Sequence, residues 1–416
     1  MSRQTIQIFE HERLTTYPDE WGRKITPRQL ELLCLYNDNN QNKYYTVIRN
    51  GVKFNQYVGV IQIGNLTIEI LPKADKTNFS TLNDKEVEIY RWRKVLLKML
   101  QVCGIIKVEA PSEANLKKRH NSLLDLYFDI YLNEIESLLR SGLIKKYRTQ
   151  SNNVYALKGQ LKFSQNIQQN LIHQERFFTE HQTYNYQNLL NQILIKGLRV
   201  LKSIANDTLL IDRINRVLFC FPEIEEILIT ESNFSKVNIN RQTEKYSEAL
   251  KVAKMIILNY SPDIIYGQEN MLALLFNMND LWEKFIFRML KRGEDGTYTA
   301  NYHQTQNFWL NRRIEPDIVI VKEGITYIVD TKWKIVSPNN PSDNDLKQMY
   351  AYNMYWDAPK SMLLYPKTSN AIDSDFGKFH KGREGENLCK VGFVNVFDNN
   401  NQLNQKISAE IIEKLN

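Results

Sequence analysis

The segment Glu315-Pro316-Asp317-Ile-Val-Ile-Val-Lys-Glu-Gly-Ile-Thr-Tyr-Ile-Val-Asp330-Thr331-Lys332 constrains this chain more than any other stretch. Two apolar runs rich in β-branched residues flank Glu323-Gly324, a pattern that reads as two strands joined by a hairpin turn. Two acids and a lysine lie within these runs, where an unpaired charge is costly and requires a partner or a metal. If Glu323 and Gly324 are the two central turn residues, Asp317 falls directly opposite Asp330, with Cβ atoms about 4.5–5.5 Å apart. A three-residue loop would shift the register by one and break that pairing. Asp330 and Lys332 share a face because side chains alternate along a strand. Two adjacent carboxylates repel one another unless a divalent cation neutralises them, and hard oxygen donors favour Mg²⁺ or Mn²⁺. A neighbouring lysine can orient or deprotonate water aimed at a phosphodiester, so the trio reads as a hydrolytic site.

Chance pairs exist elsewhere: Pro-Asp recurs at 18–19 and 262–263, and Asp75-Lys76 is another acid-lysine neighbour. Only Asp317 is followed by a second strand ending Asp-x-Lys, preceded by a helical acid and trailed by Q-x-x-x-Y. That acid is Glu283, within a helix expected over 271–290 and closed by Gly293 to Gly296. Glu283 sits about 110° from the centre of the apolar stripe, from where it can reach towards the sheet edge. Strands are expected at 314–321 and 325–333, then a polar loop from Ser337 to Asp345, a helix over 345–356 and a strand over 361–365. Gln348 and Tyr352, four apart, project from one side of that helix. This alternation predicts an α/β domain with a mixed sheet.

Upstream, residues 44–72 alternate as strands, with Leu66, Ile68 and Ile70 opposed to Thr67 and Glu69. Gly64-Asn65 is a hairpin signal, because glycine supplies the positive φ of a primed turn. Apolar positions from 123 to 139 trace a helix ending near Gly142, and a second stripe runs from Leu189 to Ile204. The intervening 150–182, rich in Asn, Gln and Lys, reads as an exposed connection. The middle third is therefore expected to be mostly helical, either a stalk or partner surface or plain helix packing.

The net charge of +7 is uneven: residues 1–250 hold 34 Lys+Arg against 27 Asp+Glu, and the remainder 20 against 20. The surplus suits a solvated helix face, nucleic acid or an acidic protein surface. Cys34, Cys103, Cys220 and Cys389 lie too far apart for a zinc motif and read as reduced thiols. His173 and His181 have no third ligand in view, and His120 beside Lys117-Lys118-Arg119 reads as part of a basic turn. Trp309 and Trp333 flank the site, where base stacking and plain packing are both open. No apolar span reaches membrane length and no signal-peptide core is present, which points to the cytoplasm. None of the sixteen glycines fits a phosphate-binding G-x-x-x-x-G-K-[ST] loop, so no nucleotide is expected on this chain.

Helical Glu283, Pro316-Asp317, Asp330-Thr331-Lys332 and Gln348-x-x-x-Tyr352, in this order, resemble the PD-(D/E)xK nuclease core. The chain further resembles the McrC family, nuclease subunits of McrBC-type modification-dependent restriction systems. That resemblance rests on Val58-Gly59-Val60-Ile61 running into Leu66-Thr67-Ile68-Glu69-Ile70-Leu71-Pro72-Lys73, on Leu157-Lys158-Gly159-Gln160-Leu161-Lys162-Phe163 before Glu175-Arg176-Phe177, and on Met278-Asn279-Asp280-Leu281-Trp282-Glu283-Lys284-Phe285. It spans roughly residues 45–400 and implies metal binding by Asp317, Asp330 and the main-chain carbonyl of Thr331. It also implies water positioning by Lys332, completion of the metal site by Glu283, and contacts from Gln348 and Tyr352 to the metal shell or DNA. The second acid is Asp330 where Glu is commoner. The resemblance further implies cleavage of double-stranded DNA together with an McrB-like AAA+ GTPase hexamer whose hydrolysis is stimulated. A regulatory activator with little cleavage and a stand-alone RecB-like nuclease are the other readings. The expected α+β multidomain architecture is a β-rich domain at 1–110, a helical, stalk-like, partner-binding middle at 111–255 and a PD-(D/E)xK domain at 256–416.

Overall fold

The computed structural model describes residues 4–73, 82–106, 123–261, 270–334, 341–368, 371–380 and 387–416. Asp75-Lys76, the Lys117–His120 turn, Pro262-Asp263 and the first half of the loop after Lys334 lie outside the described residues.

The chain opens with β1 (Gln4–Phe9), β2 (Arg13–Thr15), α1 (Pro27–Asn39), β3 (Tyr45–Ile48), β4 (Gly51–Phe54), β5 (Tyr57–Ile63) and β6 (Leu66–Leu71), followed by α2 (Leu82–Val102). The strands expected over 44–72 are present, and Gly64 takes φ +50°. β1 lies parallel to β6, from Gln4 against Leu66 to Phe9 against Leu71. Both faces of β6 are covered, since Thr67 and Glu69 are as buried as their apolar neighbours. Glu69 is sheltered because Gln7 Nε2 donates to its carboxylate at 2.8 Å and Arg93 of α2 pairs with it at 3.5 Å. Helix α1 went unread in the β-rich stretch; it starts at a capping box formed by Thr26 and Gln29, with Pro27 in its first turn.

The middle of the chain contains α3 (Leu123–Ser141), β7 (Lys146–Val154), β8 (Gln160–Leu161), α4 (Phe163–Asn170), β9 (Phe177–Asn185), α5 (Leu189–Ile204), α6 (Thr208–Cys220), α7 (Glu231–Ser235), α8 (Ser247–Leu258) and β10 (Tyr260–Ser261). Both amphipathic stripes are helices, and Gly142 ends the first at φ +79°. Gly197 lets α3 and α5 approach closely. A Cβ there would sit 2.3 Å from the Tyr131 hydroxyl, which donates to the Leu194 carbonyl at 2.7 Å. The exposed connection expected at 150–182 is instead a three-stranded sheet. β7 pairs with β9 from Lys146↔Asn185 to Val154↔Phe177, and β8 pairs with β9 on its other side. β7 is exposed along nearly its whole length and β9 is mostly half-buried, so no hydrophobic alternation betrays them; the Asn170 amide instead ties the connection together through Asn153, Asn166 and the Arg176 carbonyl.

The carboxy-terminal part runs β11 (Met271–Asn277), α9 (Met278–Arg292), β12 (Tyr298–Tyr302), β13 (Gln306–Trp309), β14 (Arg312–Ile314), β15 (Ile318–Lys322), β16 (Ile325–Thr331), α10 (Asp343–Tyr355), β17 (Lys360–Pro366), β18 (Gly377–Lys378), β19 (Leu388–Val394) and α11 (Ile407–Lys414). The helix expected over 271–290 begins only at 278. Met271–Asn277 is a strand, and Asn277 caps the helix by accepting from the Asn279 amide. A continuous apolar run carries no period that separates strand from helix. The main sheet has the order β12-β15-β16-β17-β19-β18. β12, β15 and β16 are antiparallel, whereas β16, β17 and β19 are parallel, so the sheet is mixed. Val319, Ile328, Met349, Leu363 and Phe393 form the core under α10.

The described residues cluster into two compact units, one of residues 62–65 and 123–274, the other of residues 4–61, 66–106 and 275–416. Residues from the first and third sequence segments thus share a unit.

Candidate active site

The β15–β16 turn has two central residues, Glu323 at φ +52° and Gly324 at φ +79°. Both lie in the left-handed region that a primed two-residue hairpin turn requires. The ladder runs from Lys322↔Ile325 to Ile318↔Val329, the register in which Asp317 and Asp330 face each other at the next step. Asp330 continues into parallel pairing with Leu363, and Thr331 with Leu364. The hairpin thus delivers both acids and Lys332 to one end of the sheet.

Asp317 is held by its neighbour strand: the Thr331 amide and hydroxyl donate to Oδ2 at 2.7 and 3.0 Å. Asp330 is fully buried. Its Oδ2 forms an ion pair with Lys332 Nζ at 2.6 Å, while its Oδ1 is buried with no hydrogen-bond partner among the described residues. Burial first, then the Asp317 charge, pushes the Asp330 carboxyl well above the usual range, with Lys332 opposing. Burial likewise raises Asp317, against the Thr331 hydrogen bonds and the Lys332 charge. For Lys332, burial works against the ammonium, but the Asp330 carboxylate outweighs it and holds the pKa above its ordinary value. Lys332 is therefore a fixed cation at neutral pH, beside two carboxyl groups that resist full ionisation together.

Glu283 projects from α9 and is engaged by a residue that sequence reasoning passed over. His303 Nε2 binds Glu283 Oε1, and its Nδ1 lies 2.8 Å from Glu315 Oε1. The His303 amide also donates to the Asp317 carbonyl at 3.3 Å. Burial, and then the Asp317 charge, raises the Glu283 pKa, with His303 opposing. Nothing in the sequence around His303 marks it, because its partners lie 20 and 12 residues away.

Gln348 and Tyr352 meet each other. Gln348 Nε2 donates to the Tyr352 hydroxyl at 2.7 Å, and that hydroxyl donates to the Glu315 carbonyl at 2.7 Å. Tyr352 is buried, so this geometry braces the backbone leading into Asp317. The two tryptophans separate: Trp333 is buried against Trp92 and Trp282, and its Nε1 donates to Glu10 Oε1 at 2.6 Å, whereas Trp309 is 65% exposed.

Whether these residues suit a divalent cation can be tested on their oxygen atoms. Two carboxylates share one end of the sheet, and the orphaned Oδ1 of Asp330 is a buried acceptor that lacks a donor, which fits a hard cation. Among the described residues, no three His, Cys, Asp or Glu side chains are spaced to close around a metal. The side chains of this site therefore offer an open, two-acid set, with Glu283 tied to His303. His173 lies beside Glu175 at 3.3 Å, and His181 contacts Thr179. All four cysteines are free thiols, and no helix among the described residues is long and apolar enough to cross a membrane.

Comparison with known proteins agrees with this architecture. Over 225 residues the chain is 24% identical to the type IV methyl-directed restriction enzyme EcoKMcrBC of Escherichia coli (strain K12), covering 51% of this chain and 65% of that protein. The alignment therefore leaves about a third of that relative's length unmatched. The fold matches a chain of the refined half-complex from the tetradecameric assembly of Thermococcus gammatolerans McrB AAA+ hexamers with bound McrC, at TM-score 0.70 and 20% identity, over 99% of both chains. It also matches a chain of the Thermococcus gammatolerans McrBC complex, at TM-score 0.52 and 22% identity, over 70% of this chain and 88% of that one. The family of the McrBC 5-methylcytosine restriction system component matches residues 52–366, and the chain belongs to that family.

Proposed function

We propose that this chain is the Mg²⁺-dependent DNA endonuclease subunit of an McrBC-like restriction system, of the McrC type and with a PD-(D/E)xK site. The observation that carries the reading is the buried Asp330, paired with Lys332 at 2.6 Å and facing Asp317 across a register-fixed hairpin. Asp317 and Asp330 would hold Mg²⁺ or Mn²⁺, with the Thr331 carbonyl as a further donor. When bound, the ion supplies positive charge against the charge developing on the phosphate oxygens. The remaining work falls to the chain itself. Thr331 fixes one oxygen of Asp317 and leaves the other available. The Lys332 ammonium, kept charged by Asp330, holds the attacking water and screens the phosphate. The Gln348–Tyr352 brace fixes the backbone that carries Asp317, and His303 sets the rotamer of Glu283, which supports the site.

The same reading gives the chain an AAA+ GTPase hexamer as partner and double-stranded DNA as substrate. It is supported by family membership, by structural relatives described as assemblies of McrB AAA+ hexamers with McrC, and by the lack of a phosphate-binding glycine loop in this sequence.

The test is DNA cleavage with Mg²⁺ by the full chain and by Asp330→Ala, each with and without an McrB-type AAA+ protein from the same organism. The expected result is cleavage only with the partner, lost in the variant while NTPase stimulation survives. Cleavage without the partner would mean a stand-alone nuclease, and stimulation without cleavage a regulatory subunit.

A further inference from the structure

The β13–β14 hairpin has no role in the chemistry above, yet it ends three residues before Asp317, a stretch that spans about 10 Å at most. Its tip carries three consecutive large apolar side chains in solvent: Phe308 is 50%, Trp309 65% and Leu310 78% exposed. Leu310 also sits at φ +47°, a left-handed conformation disfavoured for any residue with a Cβ and normally left to glycine or asparagine. Phe308 rests against Tyr355, but at Trp309 and Leu310 exposure opposes folding, and at Leu310 backbone strain adds to it. Such a combination points to a use outside the fold.

The base of the hairpin is fixed. Tyr355 Oη donates to the Phe308 carbonyl at 3.2 Å, with the two rings 5.6 Å apart, and Trp356 Nε1 donates to Gln304 Oε1 at 3.3 Å. A bulge between Asn307 and Trp309 makes Trp309 the cross-strand partner of Arg312, while Asn307 faces Arg313. Both arginines are exposed, and neither forms an ion pair among the described residues. A rigidly based apolar tip flanked by two uncompensated guanidinium groups suits a polyanion with stacked, partly apolar faces. Guanidinium groups bind phosphates, and aromatic or aliphatic tips wedge between base steps. An apolar protein seat would leave the two cations without acceptors.

We propose that the β13–β14 hairpin is a DNA-gripping wedge, in which Arg312 and Arg313 hold phosphates beside the scissile one and Trp309 and Leu310 press into the minor groove. The proposal rests on the nuclease reading of Asp317, Asp330 and Lys332, and it names a further contact of that site with duplex DNA.

The test uses the full chain with its AAA+ partner, a fluorescein-labelled DNA duplex, Ca²⁺ in place of Mg²⁺ for binding by anisotropy, and Mg²⁺ for cleavage. Arg312→Glu with Arg313→Glu should lower the slope of log affinity against log salt by about 2, one unit per lost phosphate contact. Trp309→Ala should weaken binding about tenfold. Leu310→Gly should weaken binding while melting at or above the wild-type temperature, because glycine adopts the tip conformation without strain; a merely structural tip would show no such split. Wild-type cleavage together with unchanged affinity and salt slope in all variants would overturn the wedge and leave the nuclease. Retained DNA affinity with lost NTPase stimulation would also overturn it, assigning the hairpin to the partner protein. Absence of both DNA binding and cleavage in the wild type would remove the nuclease reading and the wedge with it.

Discussion

Replacement of Glu10 by Gln should stabilise the protein at alkaline pH and not at acidic pH. Glu10 directly follows β1 and is 4% exposed. Its Oε1 accepts from the Lys73 amide at 2.9 Å and from Trp333 Nε1 at 2.6 Å, and its Oε2 has no hydrogen-bond partner among the described residues. Burial pushes its pKa up to about 7, against the bonds from Lys73 and Trp333. In the unfolded chain the value is about 4.3. Between these values the folded protein binds more protons than the unfolded one, so stability falls as pH rises, by about 1.4 kcal/mol per unit. The full penalty above pH 7 is then about 3.5 kcal/mol. Gln keeps the acceptor at Oε1 and does not titrate, but it leaves an amide group to be satisfied, a cost of about 1–3 kcal/mol. The variant should therefore match or fall below wild type at pH 4.5 and exceed it by about 1–2 kcal/mol at pH 8, a few degrees of melting temperature. Thermal melting of both proteins from pH 4.5 to 8.5 in the presence of EDTA measures the difference. A difference that does not change with pH would refute the assignment of a buried, reluctantly ionised carboxyl at this position.

Three further outcomes follow from the same geometry. Asp330→Asn removes the charge whose pKa burial and Asp317 raise. Its melting temperature relative to wild type should climb with pH in EDTA, Mg²⁺ should stabilise wild type and not the variant, and cleavage should be lost. Tyr352→Phe deletes the donor to the Glu315 carbonyl; it should cost about 1–2 kcal/mol and lower kcat with KM little changed, read from steady-state cleavage. Gly197→Ala places a Cβ 2.3 Å from the Tyr131 hydroxyl; it should destabilise by about 1–3 kcal/mol, and Tyr131→Phe in the same chain should recover part of that loss in a melting experiment.

What the sequence could and could not reveal divides along physical lines. The Asp317, Asp330 and Lys332 cluster was legible because a strand has a period of two and a two-residue turn admits one register; Glu323-Gly324 supplied both positive φ values, and the ladder followed. Helices α3 and α5 were legible because their apolar residues recur at helical spacing. The β7–β9 ribbon was not, because β7 is exposed along nearly its whole length and β9 is mostly half-buried with no apolar alternation, and periodicity reports burial rather than backbone shape. Met271–Asn277 failed for the opposite reason: four consecutive buried residues erase the period altogether. His303 shows a third limit. Its value lies in holding Glu283 and Glu315 together, and such a bridge exists only after α9, β12 and the segment before β15 have been brought side by side. A residue that acts through partners distant in sequence leaves no local spacing to read. The acids and lysine of a hairpin site can thus be found from sequence, while the groups that set their rotamers and protonation must be found in the fold. The same asymmetry explains Trp309 and Trp333. Both flank the site in sequence, yet the β16 extension buries Trp333 against Trp92 and Trp282, and the bulged hairpin turns Trp309 outward. Of the two, only Trp309 can meet a substrate.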